Sequence, residues 1–365
     1  MNSRIVLINN NPPHSGTGRY AYSLLVQLSR VYKGHINFVG LDKQLFDPNY
    51  YKLRSELRWL YYMLKLRILA GKLINRLSYD SLVHATNAGY LASIIPAMKK
   101  RYSIVVTVHD LIPFFAPRSV SDAIVRKAFM NVADADKVIV PSESTKHDLL
   151  RIVDINSQEV KVIYYGIDHA LFKPRCKLEA RRRLGLPLDK PIILNVGSEE
   201  PRKNVPTLLE AFKKLLNDVP DALLMRIGER TARIGKIINA LGLTGRVFYS
   251  KADQSKIGFY YNAADLLAFP SYCEGFGNPP LEAMSSGCPV IAGNRTSVPE
   301  VVGDAGILLN PFDVDGFAYW MREVLTNEDL EEKLSRKGLE RSMIFRWEKC
   351  ARETLEVYKE VLGDV

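Results

Sequence analysis

Short runs of apolar, mostly β-branched residues recur along the chain, and each is followed by a longer stretch whose apolar residues return at helical spacing. Buried strands alternating with amphipathic helices mark parallel sheets wrapped by helices, not a sandwich or a bundle. The pattern predicts strands at 4–8, 36–40, 82–84, 104–108, 137–140 and 160–163, and then at 191–196, 223–227, 246–249, 265–269, 289–292 and 306–309. The two halves share this architecture without sharing a sequence repeat. Between them, Gly166-Ile167-Asp168 and the segment through Pro174 interrupt both periodicities and read as a linker. Two α/β domains, 1–168 and 174–346, are therefore expected, facing each other across a cleft.

Ligands of open α/β sheets sit beyond the carboxyl ends of the strands, so the residues after each strand carry most of the chemistry. Asn9 to Ser15 follow the first strand, and Gly16-Thr17-Gly18 lead into a helix expected to begin near Arg19. Glycines at Gly16 and Gly18 let backbone N–H groups approach an anion at a helix N-terminus. Gly16-x-Gly18-x-x-Ala21, with Asp42 downstream, also satisfies a relaxed dinucleotide fingerprint. That fingerprint wants its first glycine directly after the strand, and seven residues intervene here. His109-Asp110 follow the strand at 104–108, where a histidine can touch the polar groups of a ligand. Ser142 and Glu143 read as a helix N-cap and a first-turn acid.

The second half is richer. Gly197 closes a strand and is followed by Ser198-Glu199-Glu200-Pro201-Arg202-Lys203-Asn204. Arg202 and Lys203, adjacent cations ahead of a helix, make a diphosphate site, because fixed charge and helix dipole act on the same oxygens. After 265–269, the loop Glu274-Gly275-Phe276-Gly277-Asn278-Pro279-Pro280-Leu281-Glu282 places one carboxylate in the loop and another a turn inside the next helix. Carboxylates accept two hydrogen bonds at once and suit hydroxyl-rich ligands such as ribose and hexose.

Charge adds one feature. The chain of 365 residues carries 50 basic and 40 acidic side chains, and the excess is uneven: residues 1–172 hold 22 and 13, the remainder 28 and 27. A net charge of +9 on the first half implies an anionic partner. Its densest part is 50–77, with Lys52, Arg54, Arg58, Lys65, Arg67, Lys72 and Arg76 against the single acid Glu56. On a helix, Leu53, Leu57, Leu60 and Leu64 form one stripe, and Arg54, Arg58, Lys65, Lys72 and Arg76 another about 100° away. With Trp59, Tyr61 and Tyr62 added, the segment reads either as a domain-packing helix with a solvated face or as one that docks on anionic lipid. Nucleic acid is a poorer partner, since no binding motif accompanies the charge.

No run approaches the ~18 apolar residues of a membrane span, and Cys176, Cys273, Cys288 and Cys350 are widely spaced with no zinc-site pattern. The expectation is a cytoplasmic protein with free, buried thiols. Of two D-x-D segments, Asp134-Ala135-Asp136 precedes a strand, at the end opposite to ligands, and Asp313-Val314-Asp315 is a pattern that arises easily by chance; no essential metal is expected.

Taken together these residues resemble the retaining glycosyltransferases of the GT-B fold, specifically family four. Glu274 through Glu282 resemble its E-x7-E motif, and further likenesses lie in Gly287-Cys288-Pro289-Val290-Ile291, Ser297-Val298-Pro299-Glu300-Val301, Gly197 with Arg202-Lys203-Asn204, Gly166-Ile167-Asp168, His109-Asp110-Leu111, Gly16-Thr17-Gly18-Arg19-Tyr20 and Phe345-Arg346-Trp347-Glu348. The resemblance implies two facing Rossmann-like domains, the first binding an acceptor, the second a nucleotide sugar, with a helix at 347–362 crossing back to the first. It implies that Arg202 and Lys203 hold the donor diphosphate, Glu282 the ribose and Glu274 the sugar hydroxyls, with Gly197, Gly275, Phe276 and Gly277 around them. Gly16 and Gly18 would line the phosphate side, and His109 would sit near the reacting carbon. Ser15 replaces a common first glycine, Ser250 stands where a glycine often follows the strand, and Asn278 replaces a frequent apolar residue.

The expected activity is hexose transfer, of mannose or glucose type, from a GDP- or UDP-linked donor to a glycan or lipid-linked acceptor at the inner membrane face. GDP-mannose is favoured on family frequency, and no cofactor is expected. The rivals are a glycosidase using Glu274 and Glu282, and a basic membrane- or nucleic-acid-binding protein without catalysis.

Overall fold

A computed structural model describes residues 5–12, 15–40, 64–65, 68, 71–72, 77, 81–115, 120–251 and 255–363. Most of the basic segment at 50–77, and Asp42 of the dinucleotide fingerprint, lie outside them. Among the described residues twelve strands form, each within a residue of its expected bounds: β1 Ile5–Asn9, β2 Ile36–Gly40, β3 Leu82–Ala85, β4 Ser103–Thr107, β5 Lys137–Val140, β6 Val160–Val162, β7 Ile192–Val196, β8 Leu223–Ile227, β9 Val247–Ser250, β10 Leu266–Phe269, β11 Val290–Gly293 and β12 Ile307–Leu309.

The chain divides into two units, residues 1–166 with 347–365, and residues 167–346. Each holds one six-stranded parallel sheet, ordered β2-β1-β3-β4-β5-β6 in the first and β12-β11-β10-β7-β8-β9 in the second. The interior strand β1 is buried at every position, which is why Ile5 to Ile8 read as a continuous apolar run instead of an alternating one. In the second sheet the order reverses between β10 and β7, paired through Leu266 with Ile193 and Leu267 with Leu194. Crossovers leave such a pair in opposite directions, opening a crevice at their carboxyl ends. The first sheet has its own reversal, between β1 and β3.

Each unit has its own core. Val6, Ile8, Val83, Val106 and Val138 pack together in the first, and Ile193, Leu208, Phe212, Leu224 and Phe317 in the second. The helix Trp347–Leu362 belongs to the first unit, where it packs on the helix Gly16–Val31. Its Tyr358 hydroxyl lies 2.6 Å from His84 Nδ1, and Glu360 accepts from Lys161 at 2.9 Å. Ile167 and Asp168, expected in the first domain, fall to the second unit: Ile167 donates its N–H to the Phe345 carbonyl at 3.1 Å and bridges to Arg346. All four cysteines are free; Cys288 and Cys350 are buried as expected, but Cys176 is exposed and Cys273 half-buried. Among the described residues no helix is long and apolar enough to cross a membrane.

Candidate functional site

In the second unit the site is built from the two loops that leave the reversal point. β7 ends at Val196, and Gly197 follows with a φ of 137°, a conformation glycine adopts without a Cβ penalty. A Cβ on the neighbouring Gly228 would lie 2.3 Å from the Gly197 carbonyl oxygen, so this backbone approach requires a bare position. Pro201 starts a single 3₁₀ turn, and Asn204, at φ 51°, reverses the chain into the helix Val205–Leu215. Asn204 is anchored by donating to the Pro311 carbonyl at 2.7 Å and accepting from Thr207 Oγ1 at 2.9 Å.

This turn sends Arg202 and Lys203 to the loop after β10. Lys203 Nζ donates to Glu274 Oε1 at 2.6 Å, and Arg202 Nη1 to Glu274 Oε2 and the Cys273 carbonyl, each at 3.0 Å. Ser271 Oγ donates to Glu274 Oε1 at 2.6 Å, and Glu200 takes Arg202 Nε at 2.8 Å. The Glu274, Lys203 and Arg202 side chains are only 10%, 12% and 13% exposed. Burial alone would push the Glu274 carboxyl up, but Lys203 and Arg202 overcome it and hold the carboxyl below the ordinary range. From sequence the two cations are expected at one end of a ligand and Glu274 at the other; the structure joins all three in one ion-paired group.

Downstream of Glu274, Gly277 at φ 114° caps the helix Asn278–Ser285, with Pro279 in its first turn. Phe276 is buried and meets the Phe345 ring edge-on at 5.8 Å. Glu282, one turn inside the helix, is 6% exposed and accepts from the buried Tyr261 hydroxyl at 2.6 Å. Ser250 ends β9 and shares a 2.6 Å hydrogen bond with Tyr260.

Two sets of partners escaped sequence reasoning. Arg226, fully buried on β8, bonds Asn195 Oδ1 and, at 3.2 Å, the Gly197 carbonyl, with Glu199 3.9 Å away. Glu199 in turn accepts from Tyr249 at 2.5 Å and from the Thr231 N–H at 2.6 Å, which fixes the start of the cation loop. An arginine inside an otherwise apolar strand was the available signal. The second set is Thr296 and Ser297, which bond the main chain of Glu274.

In the first unit, the helix after β1 starts at Gly16, three residues earlier than Arg19, because Ser15 is its N-cap and accepts the Gly18 N–H at 3.0 Å. A Cβ on Gly18 would fall 1.9 Å from the Pro12 carbonyl oxygen, whereas one on Gly16 would meet nothing within 4 Å. His109 has both ring nitrogens engaged. Nε2 lies 2.7 Å from the Thr86 carbonyl, which can only accept, so Nε2 carries the proton and Nδ1 accepts from the Tyr165 hydroxyl. Burial pushes its pKa down to about 4. The ring is therefore a neutral, twice-bonded group that holds no mobile proton at neutral pH.

Ser142 caps its helix through the Thr145 N–H at 3.0 Å, as expected. The D-x-D segments have structural partners: Asp136 pairs with Lys99 and accepts the Ile104 N–H, Asp313 caps the helix Val314–Thr326, and Asp315 pairs with Lys214.

The chain matches Glycosyltransferase Family 4 over residues 14–171 and Glycosyl transferases group 1 over residues 177–341. It is similar to the D-inositol 3-phosphate glycosyltransferase of Nocardioides sp., with 30% identity over 64% of this chain and 56% of that one. Similar too are O-antigen chain mannosyltransferase B of Escherichia coli, with 34% identity over 46% of this chain and 45% of the relative, and the serotype-specific mannosyltransferase WbdA of the same organism, with 30% over 73% and 35%. The matched stretch thus spans about half or less of these relatives' own lengths. Among solved structures, sucrose-phosphate synthase from Thermosynechococcus elongatus superposes with a TM-score of 0.81 at 24% identity, covering 98% of this chain and 99% of that one. Anabaena HepE, solved with UDP and glucose, gives 0.77 at 19%, covering 98% and 99%. These likenesses establish the GT-B fold, and the chain belongs to glycosyltransferase family 4.

Proposed function

We propose that this glycosyltransferase moves a hexose, of mannose or glucose type, from a nucleoside-diphosphate sugar to a glycan or lipid-linked acceptor, with retention of anomeric configuration and without an essential metal. The observation that carries this reading is the convergence of Arg202 and Lys203 on Glu274 at the strand-order reversal. A diphosphate is a good leaving group, so the protein's main task is to stabilise charge growing on its oxygens as the glycosidic bond breaks. Preorganised cations do this best where water is largely excluded, as it is from these two side chains.

The same geometry implies an exchange of partners. Without donor, Glu274 neutralises Lys203 and Arg202. A diphosphate competes for both cations and releases the carboxylate, which then accepts hydrogen bonds from sugar hydroxyls. Glu282, already oriented by Tyr261, takes the ribose hydroxyls. No side chain need act as nucleophile, because a donor phosphate oxygen can accept the acceptor's proton while the sugar is still held. A glycosidase would need one carboxyl kept protonated at neutral pH, and Glu274 is shifted the opposite way.

Two relatives described as mannosyltransferases favour mannose as the transferred sugar, and the HepE complex favours a nucleotide-linked donor. The basic segment at 50–77 supports an acceptor presented at the cytoplasmic face of an anionic membrane. The test is a thermal-shift panel of GDP-mannose, UDP-glucose and related nucleotide sugars, since a ligand that binds only the folded chain raises its melting temperature. It is followed by transfer assays in EDTA with NMR assignment of the product anomer. Stabilisation by one donor and a retained configuration in EDTA support the reading. An inverted product, loss of transfer in EDTA, or no stabilisation by any nucleotide sugar overturns it.

A further inference from the structure

The loop after β11 holds the main chain of Glu274 from both sides. Thr296 Oγ1 accepts the Glu274 N–H at 3.0 Å and donates to the Arg295 carbonyl at 2.9 Å. Ser297 Oγ, on a fully buried residue, donates to the Glu274 carbonyl at 2.9 Å. The two loops run in contact from the strand ends onward, because a Cβ on Gly293 would lie 2.5 Å from the Ser271 carbonyl oxygen.

Thr296 holds this arrangement in a left-handed backbone conformation, φ 52°. Among the described residues only Asn204 shares that sign of φ without being glycine. Asparagine tolerates the region; a β-branched residue there is an outlier that persists only when its surroundings fix it. Glycine would occupy the position without strain but would bring no hydroxyl. The residue type therefore answers to the hydrogen bond on Glu274 and not to the backbone.

We infer that Thr296, with Ser297 beside it, is a positioning residue that fixes the Glu274 backbone so that its carboxylate meets the donor sugar in one place. This rests on the donor reading above. Without donor, the carboxylate is located by Lys203, Arg202 and Ser271. Once a diphosphate takes the two cations, what locates it is Ser271 and the main chain, and the main chain is held by Thr296 and Ser297. The clamp then matters for the sugar end of the donor and not for its diphosphate end.

Calorimetric titration of wild type, T296G and T296S with GDP-mannose, UDP-glucose, GDP and UDP tests this. For the nucleotide sugar that wild type binds, T296G loses about tenfold in affinity, the loss of one half-buried hydrogen bond to the Glu274 main chain, while its affinity for the matching nucleoside diphosphate stays within about twofold. T296S restores the sugar-nucleotide affinity. S297A, which removes the hydroxyl on the Glu274 carbonyl, gives the same split and serves should T296G fold poorly. If both variants bind sugar nucleotide as wild type does, or lose sugar nucleotide and diphosphate alike, the clamp is overturned and the donor reading stands. If wild type binds neither nucleotide sugar nor diphosphate, the donor reading falls and takes the clamp with it.

Discussion

Lys203 Nζ and Glu274 Oε1 meet at 2.6 Å although 71 residues separate them, because β7 and β10 are neighbours across the reversal of strand order in the second sheet. Each loop leaves its own strand's carboxyl end, and no other pair of strands in that sheet would bring these two loops together. The ion pair is buried enough that removing either partner leaves the other charge exposed to a poorly hydrated site.

Replacing Lys203 by alanine removes one of the two cations facing the leaving group. Turnover is expected to fall about 100-fold or more, the range for losing one preorganised stabiliser of developing charge. Acceptor affinity stays near that of wild type. Steady-state kinetics with donor and acceptor varied separately check this; unchanged turnover contradicts the assignment.

The lowered carboxyl of Glu274 sets the sign of a stability change. A folded-state value below the unfolded one contributes stability that is complete above the ordinary value of 4.5 and is lost as pH falls through the lowered one. In E274Q that acid-induced loss is reduced, because the group no longer titrates. Urea unfolding of both proteins between pH 7 and pH 3 measures the difference, and parallel curves would count against the ion-paired state.

His84 and His109 are buried neutral, with burial the main cause in both; the charge of His109 adds to the downward shift of His84, and the Thr86 carbonyl opposes that of His109. Their pKa values are pushed down from 6.5 to about 3 and about 4. The unfolded chain binds these protons first, so stability is full above pH 6.5 and declines as pH falls toward those lowered values. NMR of the imidazole protons checks it: a His109 resonance titrating near 6.5 contradicts the twice-bonded ring.

Gly16 and Gly18 separate cleanly under substitution. G18A forces a Cβ to within 1.9 Å of the Pro12 carbonyl oxygen and is expected to destabilise by about 1–3 kcal/mol. G16A meets open space and changes stability by less than about 0.5 kcal/mol. If Gly16 lines the ligand, G16A lowers activity while leaving the melting temperature in place. Equal melting temperatures for both variants would refute the packing account of Gly18.

Any electrostatic contact between the basic segment at 50–77 and lipid must weaken with salt. Liposomes containing anionic lipid are expected to pellet the protein at low ionic strength and to release it at several hundred millimolar salt, where the Debye length shrinks to a few ångström. Salt-independent pelleting, or none, counts against electrostatic docking of this segment.

The twelve strands, the reversal into helices and the cap at Ser142 were legible in the residues because each depends on local periodicity and local hydrogen bonding. So were the residue types of the site, since Arg202-Lys203 and the Glu274 loop are contiguous signals. The start of the first helix was misplaced because Ser15, read as a substitute for a loop glycine, is the cap itself. The partners of His109 were not legible: Thr86 and Tyr165 come from other strand ends, 23 and 56 residues away.

By itself the sequence determined a chain of alternating strands and helices and which loops carry cations and carboxylates, since those follow from side-chain chemistry at neighbouring positions. Only the tertiary structure decided that Glu274 sits between Lys203 and Arg202, that Thr296 strains its backbone to hold Glu274, and that Arg226 is buried behind Gly197. The physical reason is that these contacts depend on strand order, which is set by how whole sheets bury their faces and not by any residue's neighbours in the chain.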